Sequence, residues 1–261
     1  MPFTPAHAAA AFPFRRTRLV WSALIVGTMA PDFEYFLRLT PEGRHGHSLP
    51  GVFFLTLPLA LATLWLFHRF VKAPFVELMP DGLERRLAAK CGEFRFGGAT
   101  RFTLIVASIL VGVLTHLVWD SFTHPNGWGV LNLRALQHQV RLPLIAAAPL
   151  YKLLQHISTL IGLAVLFMWL VAWYRTADVN TVPPPRTESA WPTRKIVTWV
   201  VIAAITLVAS LARTLATAGI PHNLRAVPHF LVPIVVMAVG LMWWQFVALG
   251  IWHSWRRRDA K

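Results

Sequence analysis

The chain has 261 residues, of which 56% are hydrophobic and only 14% charged, with a mean hydropathy of +0.52. Soluble domains carry roughly a quarter charged residues, so this composition excludes an ordinary soluble domain and points to the lipid bilayer as its partner. The formal net charge of +14 does not imply nucleic-acid binding, because most of the basic residues lie in loops between apolar runs, where they set orientation.

Taken in chain order, Pro5–Phe14 can form a short helix that turns at Pro13–Arg18 and runs antiparallel to the next segment. That geometry would bring His7 and Asp32 to one side. Arg15, Arg16 and Arg18 ahead of an apolar run imitate a signal peptide, but Pro31 follows and no small-residue cleavage site appears, so retention is expected. Leu19–Leu39 is a weaker span, interrupted by Pro31, Asp32 and Glu34. Clear spans are expected at about Leu49–Val71, Phe102–Thr123, Ile157–Tyr174, Ile196–Ala218 and Pro228–Trp252, since roughly 18 apolar residues suffice to cross. Leu142–Leu150 is too short to span and is expected at the interface or packed on the bundle. The fold class is therefore all-α, a polytopic helical membrane protein with about five to six transmembrane helices. Residues 1–174 form the site-bearing part. Residues 175–195, with Pro183, Pro184 and Pro185, form a linker, and 196–261 a C-terminal helix pair with a basic tail.

Lys and Arg orient the whole. With the loop Val71–Arg101 inside, eighteen of the 25 basic residues fall on the inner side and seven on the outer. The bias places the C-terminus in the cytoplasm of a bacterial inner membrane. Cys91, the only cysteine, then sits in a reducing compartment and forms no disulfide.

His116, Asp120 and His124 are spaced i, i+4, i+8 at the end of an apolar run. On a helix that spacing stacks two imidazoles and a carboxylate on one face, an edge suited to a metal ion. The plain alternative is a polar cluster capping a helix end. Pro125 disfavours helical geometry at the residue before it, so the His124 ring can swing off the face. Asp32 also ends an apolar helix on the outer side, where an unpaired buried carboxylate is costly. Histidines sharing a metal would supply its partner. In the loop Gly43–Ser48, His47 is the better ligand and His45 an acid/base or supporting group. His156 is either a ligand or a cap of its helix. Glu34, two residues after Asp32, points elsewhere.

Met1–His7, Ala30–Tyr35, Gly46-His47-Ser48 and His116-Leu117-Val118-Trp119-Asp120 together resemble a bacterial integral-membrane family of unknown function and the broader membrane-bound metal-dependent hydrolases. Those carry, in order, an N-terminal His, a Pro-Asp-x-Asp element, a Thr-His-Ser element and a His-x-x-x-Asp helix. Here Glu34 replaces the second Asp and Gly46 the Thr. A more distant similarity is to zinc-dependent bacterial phospholipase C, whose order of ligands matches His7, Asp32, His47, His116, Asp120 and His124. That family's later His-x-x-x-Glu pair is missing, and His156 is the one late candidate.

The resemblance implies a divalent metal, Zn first and Mn or Mg as alternatives, and hydrolysis of a phosphoester in a lipid or lipid-linked substrate at the outer face. His45 or His156 would protonate the leaving group. Arg44, Arg141 or Lys152 would neutralise the phosphate. Two other classes compete. One is a non-catalytic membrane protein with a structural metal or His/Asp network. The other is a metal or proton transporter, which wants polar groups through the whole bilayer depth, whereas here they collect at one end.

Overall fold

A computed structural model describes residues 3–142, 145–177, 193–221, 223 and 226–259. The described residues are 80% helical. Among the described residues, five helices are long and apolar enough to cross a membrane: Leu49–Glu77, Ala99–Asn132, Leu150–Thr176, Thr193–Ala218 and His229–Arg256. The fold is an all-α polytopic bundle. The Pro-rich stretch expected to be a linker lies outside the described residues over 178–192.

After a 3-10 segment (Thr4–Phe14), the elements run α1 (Trp21–Met29), a 3-10 turn (Ala30–Asp32) and α2 (Phe33–Arg38). Then come α3 (Leu49–Glu77), α4 (Asp81–Lys90), α5 (Ala99–Thr123), α6 (Trp128–Asn132) and α7 (Arg134–Gln137). Strands β1 (Gln139–Leu142) and β2 (Ile145–Pro149) precede α8 (Leu150–Thr176), α9 (Thr193–Ala218) and α10 (Val227–Asp259). Helices begin earlier or end later than apolar runs suggest. α3 continues through Lys72, and α8 starts at Leu150, because polar side chains at helix ends break the hydropathy signal without breaking the helix. Leu142–Leu150 contains the second arm of an antiparallel hairpin, with Gln139 opposite Pro149 and Val140 opposite Ala148.

The chain divides into two compact units. The first comprises 1–33, 45–64 and 96–173. Its centre is the crossing of α1 and α5. A methyl group added at Gly27 would strike the Ile109 carbonyl, and one at Gly112 would lie 2.6 Å from the Thr28 nitrogen. The two backbones touch where both side chains are absent, the close approach that small residues permit between apolar helices. Leu24, Ile105, Ile109 and Val113 are fully or almost fully buried around the crossing. Ser108 Oγ accepts the Val20 N–H at 2.9 Å, supplying one of the orphan donors of the α1 N-terminus. Gly162 of α8 approaches the backbone of Ala6 in the same way. α8 otherwise turns its apolar side chains outward: Leu160 and Phe167 are 68% and 66% exposed. Apolar surface on that scale needs a covering, and a bilayer is the covering that composition and helix length predict.

The second unit comprises 34–44, 65–95 and 174–261. Val71, Ile202, Phe246 and Val247 form its buried apolar cluster, with Trp199 and Trp243 packed against it. Lys195 pairs with Asp81 at 3.2 Å and Glu84 at 2.5 Å, tying the start of α9 to α4. Glu34 is buried here, with Arg38 Nε at 3.1 Å and the Arg44 N–H at 2.9 Å.

Candidate metal centre

The site lies wholly in the first unit and is assembled from four stretches of chain. Pro31 creates the first part. It has no N–H to return to the Gly27 carbonyl, which takes the Ala30 N–H instead, and the helix tightens into the 3-10 turn Ala30–Asp32, where the Phe33 N–H bonds to Ala30. The turn presents Asp32, 1% exposed, and Thr28 keeps a carbonyl available. His116 takes it: Nδ1 lies 2.8 Å from the Thr28 oxygen. The Gly27–Gly112 contact makes this reach feasible, since Thr28 and His116 each follow one of the two glycines. A neutral imidazole donating through Nδ1 carries its lone pair on Nε2, the arrangement that fixes a metal ligand's tautomer.

The loop before α3 supplies His47. Ser48 caps α3, its Oγ accepting the Gly51 N–H at 3.1 Å. The Ser48 N–H returns to the His45 carbonyl at 2.9 Å, and Thr56 Oγ1 donates to Gly46 O at 3.1 Å. These bonds hold the loop around His47. Its Nε2 lies 3.2 Å from His116 Nε2, 3.4 Å from Asp32 Oδ1 and 3.4 Å from Asp120 Oδ2. His116 Nε2 is in turn 3.7 Å from Asp32 Oδ1 and 3.3 Å from Asp120 Oδ2.

Magnitudes decide what these separations mean. A tetrahedron with metal–ligand bonds of about 2.0–2.2 Å has edges of about 3.3–3.6 Å. Five edges among the four atoms of His47, His116, Asp32 and Asp120 measure 3.2–3.7 Å. Ligands around one cation would have the same spacings.

A second group shares Asp120. His7 Nε2 lies 3.6 Å and His124 Nδ1 3.5 Å from Asp120 Oδ1, the oxygen not used by the first group. The His7 and His116 rings stack at 3.9 Å, which places His7 between the two groups. The hairpin of the 3-10 segment and α1 thus delivers His7 to the same cluster as Asp32, and Thr4 Oγ1 donates to Asp32 Oδ2 at 2.6 Å. α5 ends at Thr123, and His124 is extended (φ −117°, ψ 144°), as Pro125 demands. The ring nevertheless does not leave the face: Nδ1 also lies 3.2 Å from the Asp120 carbonyl oxygen.

Three atoms of this cluster, His7 Nε2, Asp32 Oδ1 and Asp120 Oδ1, are buried without a hydrogen-bond partner. Each such group costs on the order of a few kcal/mol, and a cation would satisfy all three. The donor set, four imidazoles and two carboxylates, suits a divalent metal. Burial, with His116 beside it, pushes the His7 imidazole down to about 4, so it is neutral and able to ligate. Burial also pushes His47 down, but the Asp120 and Asp32 carboxylates, each 3.4 Å away, outweigh it and lift this imidazole to about 9. Without metal, His47 carries the cation that the carboxylates require.

The other expected residues are all exposed. His45 is exposed, its ring 5.4 Å from Phe54. Arg44 is exposed, and its N–H bonds to Glu34 within the second unit. Arg141 on β1, and Lys152 and His156 early in α8, are exposed. Among the described residues, no hydrogen bond or ion pair joins these three to the cluster. Sequence reasoning missed Thr4, the Thr28 carbonyl and Gln155. Gln155 is 2% exposed, and its Nε2 lies 3.5 Å from His124 Nε2. A glutamine in the outer part of an apolar helix is the one signal that could have exposed it.

Residues 1–251 match the DUF4184 family, described as a domain of unknown function. The chain belongs to that family. No curated protein and no solved structure matches it.

Proposed function

We propose that this protein is a metal-dependent membrane hydrolase acting on a phosphoester of a lipid or lipid-linked substrate. The observation that carries the reading is the cluster of His47, His116, Asp32 and Asp120 at tetrahedral ligand spacing, with His7 and His124 on the far oxygen of Asp120. In this reading His47, His116, Asp32 and Asp120 would hold one divalent cation and His7, His124 and Asp120 could hold a second, with Zn first and Mn or Mg as alternatives. Bound there, the metal would supply Lewis acidity and would lower the pKa of a bound water to about 7. The second group offers three ligands, the count that leaves a coordination position for water or substrate. Thr28 and Thr4 hold His116 and Asp32 in place through their hydrogen bonds. His47, with its side chain 31% exposed, and His124, 26% exposed, form the open side of the site. A substrate would enter there, with Arg141 or Lys152 as phosphate partners and His45 or His156 as proton donor.

The basic loops orient the protein with its C-terminus in the cytoplasm of a bacterial inner membrane and the site on the outer side. A structural role for the metal is the second reading. It draws on the complete burial of His116 and Asp32, 0% and 1% exposed. Transport has less support: the buried polar ligands gather at one end of α5, and Phe53–Trp65 is apolar apart from Thr56 and Thr63.

Detergent-purified protein loaded with Zn²⁺ or Mn²⁺ is expected to hydrolyse a lipid-like phosphodiester, with activity lost on chelation. A loaded protein inert across a broad phosphoester panel would transfer the assignment to the structural reading.

A further inference from the structure

Gln155 is a buried polar side chain that the reading above does not use. It sits on α8 with its Oε1 buried and without a partner, while its Nε2 faces His124 Nε2 at 3.5 Å. In this orientation the amide N–H donates to Nε2. The proton of a neutral His124 is then confined to Nδ1, where the Asp120 carbonyl accepts it at 3.2 Å. That tautomer cannot ligate through Nδ1.

The oxygen and nitrogen of an amide are nearly isosteric, so a half-turn exchanges them without repacking. After the turn, Oε1 accepts a proton from His124 Nε2 and the orphaned oxygen gains its partner. The lone pair of His124 moves to Nδ1, which faces Asp120 Oδ1 at 3.5 Å. Thr123 Oγ1, 3.4 Å from Nδ1, does not compete as a donor, because its hydrogen is given to the Trp119 carbonyl. The backbone around Gln155 is anchored. Its carbonyl accepts from Ser158 and Thr159, and Thr159 Oγ1 also accepts the Phe3 N–H.

We propose that Gln155 is a positioning residue: its amide selects the tautomer of His124 and so decides whether the group His7, Asp120 and His124 can hold a metal ion. The inference rests on the metal-binding reading of the cluster and deepens it. An oxygen toward His124 presets the ring for metal. A nitrogen toward it gives the metal-free network.

Co²⁺ titration of the detergent-purified full chain tests this, read by bound metal per chain and by the visible absorption of the ion. Wild type is expected to bind two ions. Gln155→Met matches the side chain's length but accepts no hydrogen bond. It should weaken the second ion roughly 10–100-fold, the usual cost of losing a ligand's supporting partner, and should reproduce the spectrum of His124→Ala. Gln155→Glu keeps an acceptor and should restore the second ion. Wild-type binding and spectrum in Gln155→Met would overturn the proposal, as would an equal loss in Gln155→Glu, which marks a packing role. A wild type that binds no Co²⁺ at all would remove the metal-binding reading itself, and this inference with it.

Discussion

Asp120 carries more of the site than any other residue, because its two oxygens face different partners. Oδ2 meets His47 and His116, and Oδ1 meets His7 and His124. His47 is the residue whose charge state a bound metal would have to change. In the metal-free protein its pKa is raised from 6.5 to about 9. A group raised in this way contributes stability that is fully present below pH 6.5 and lost as pH climbs through about 9. Metal binding needs the neutral ring, so affinity runs the other way and rises with pH over the same window. Metal-stripped protein is therefore expected to melt at a higher temperature than its His47→Gln variant near pH 6.5, with the gap closing by about pH 9.5. Each kcal/mol corresponds to roughly 2–4 °C for a chain of this size class. A gap independent of pH would mean that His47 is not protonated by its two carboxylates.

At the scale of elements, the crossing of α1 and α5 sets the distance over which His116 reaches Thr28. Gly112 has no room for a side chain beside Leu24 and Thr28. Gly112→Leu should separate the helices, break the His116–Thr28 hydrogen bond and cost at least about 1–3 kcal/mol, the range for overpacking a close contact. A variant that keeps the wild-type melting temperature and metal content would show that the crossing does not position the site. The i, i+4, i+8 spacing on α5 was legible because a helix repeats every 3.6 residues, and a polar triplet stands out in an apolar run. His124 departs from that simple picture. Pro125 ends the helix, yet the ring returns to Asp120, an outcome that depends on tertiary neighbours. The crossing itself was not legible, since a glycine in an apolar span does not show which helix it meets. Nor were Thr4 and Gln155, single polar residues with no spacing to mark them. The hairpin β1–β2 escaped notice because a short run such as Leu142–Leu150 has too little periodicity to separate strand from helix.

At the scale of the molecule, helix length and hydropathy mark five helices among the described residues as able to cross a membrane, and the exposed apolar side chains of α8 agree with it. The polar cluster at the end of α5 is the exception to this apolar pattern, and a bound divalent cation, as proposed above, would account for its spacing, its burial and its orphaned atoms together. Metal content of protein purified in mild detergent, measured by elemental mass spectrometry beside Asp120→Asn and His116→Ala, tests that account most directly. Wild type is predicted to hold at least one divalent metal per chain. Each single variant should lose most of it, and the double variant should be little worse than either, because residues acting as a unit are non-additive. Wild-type protein free of metal after reconstitution, or a folded Asp120→Asn that retains full metal content, would contradict it.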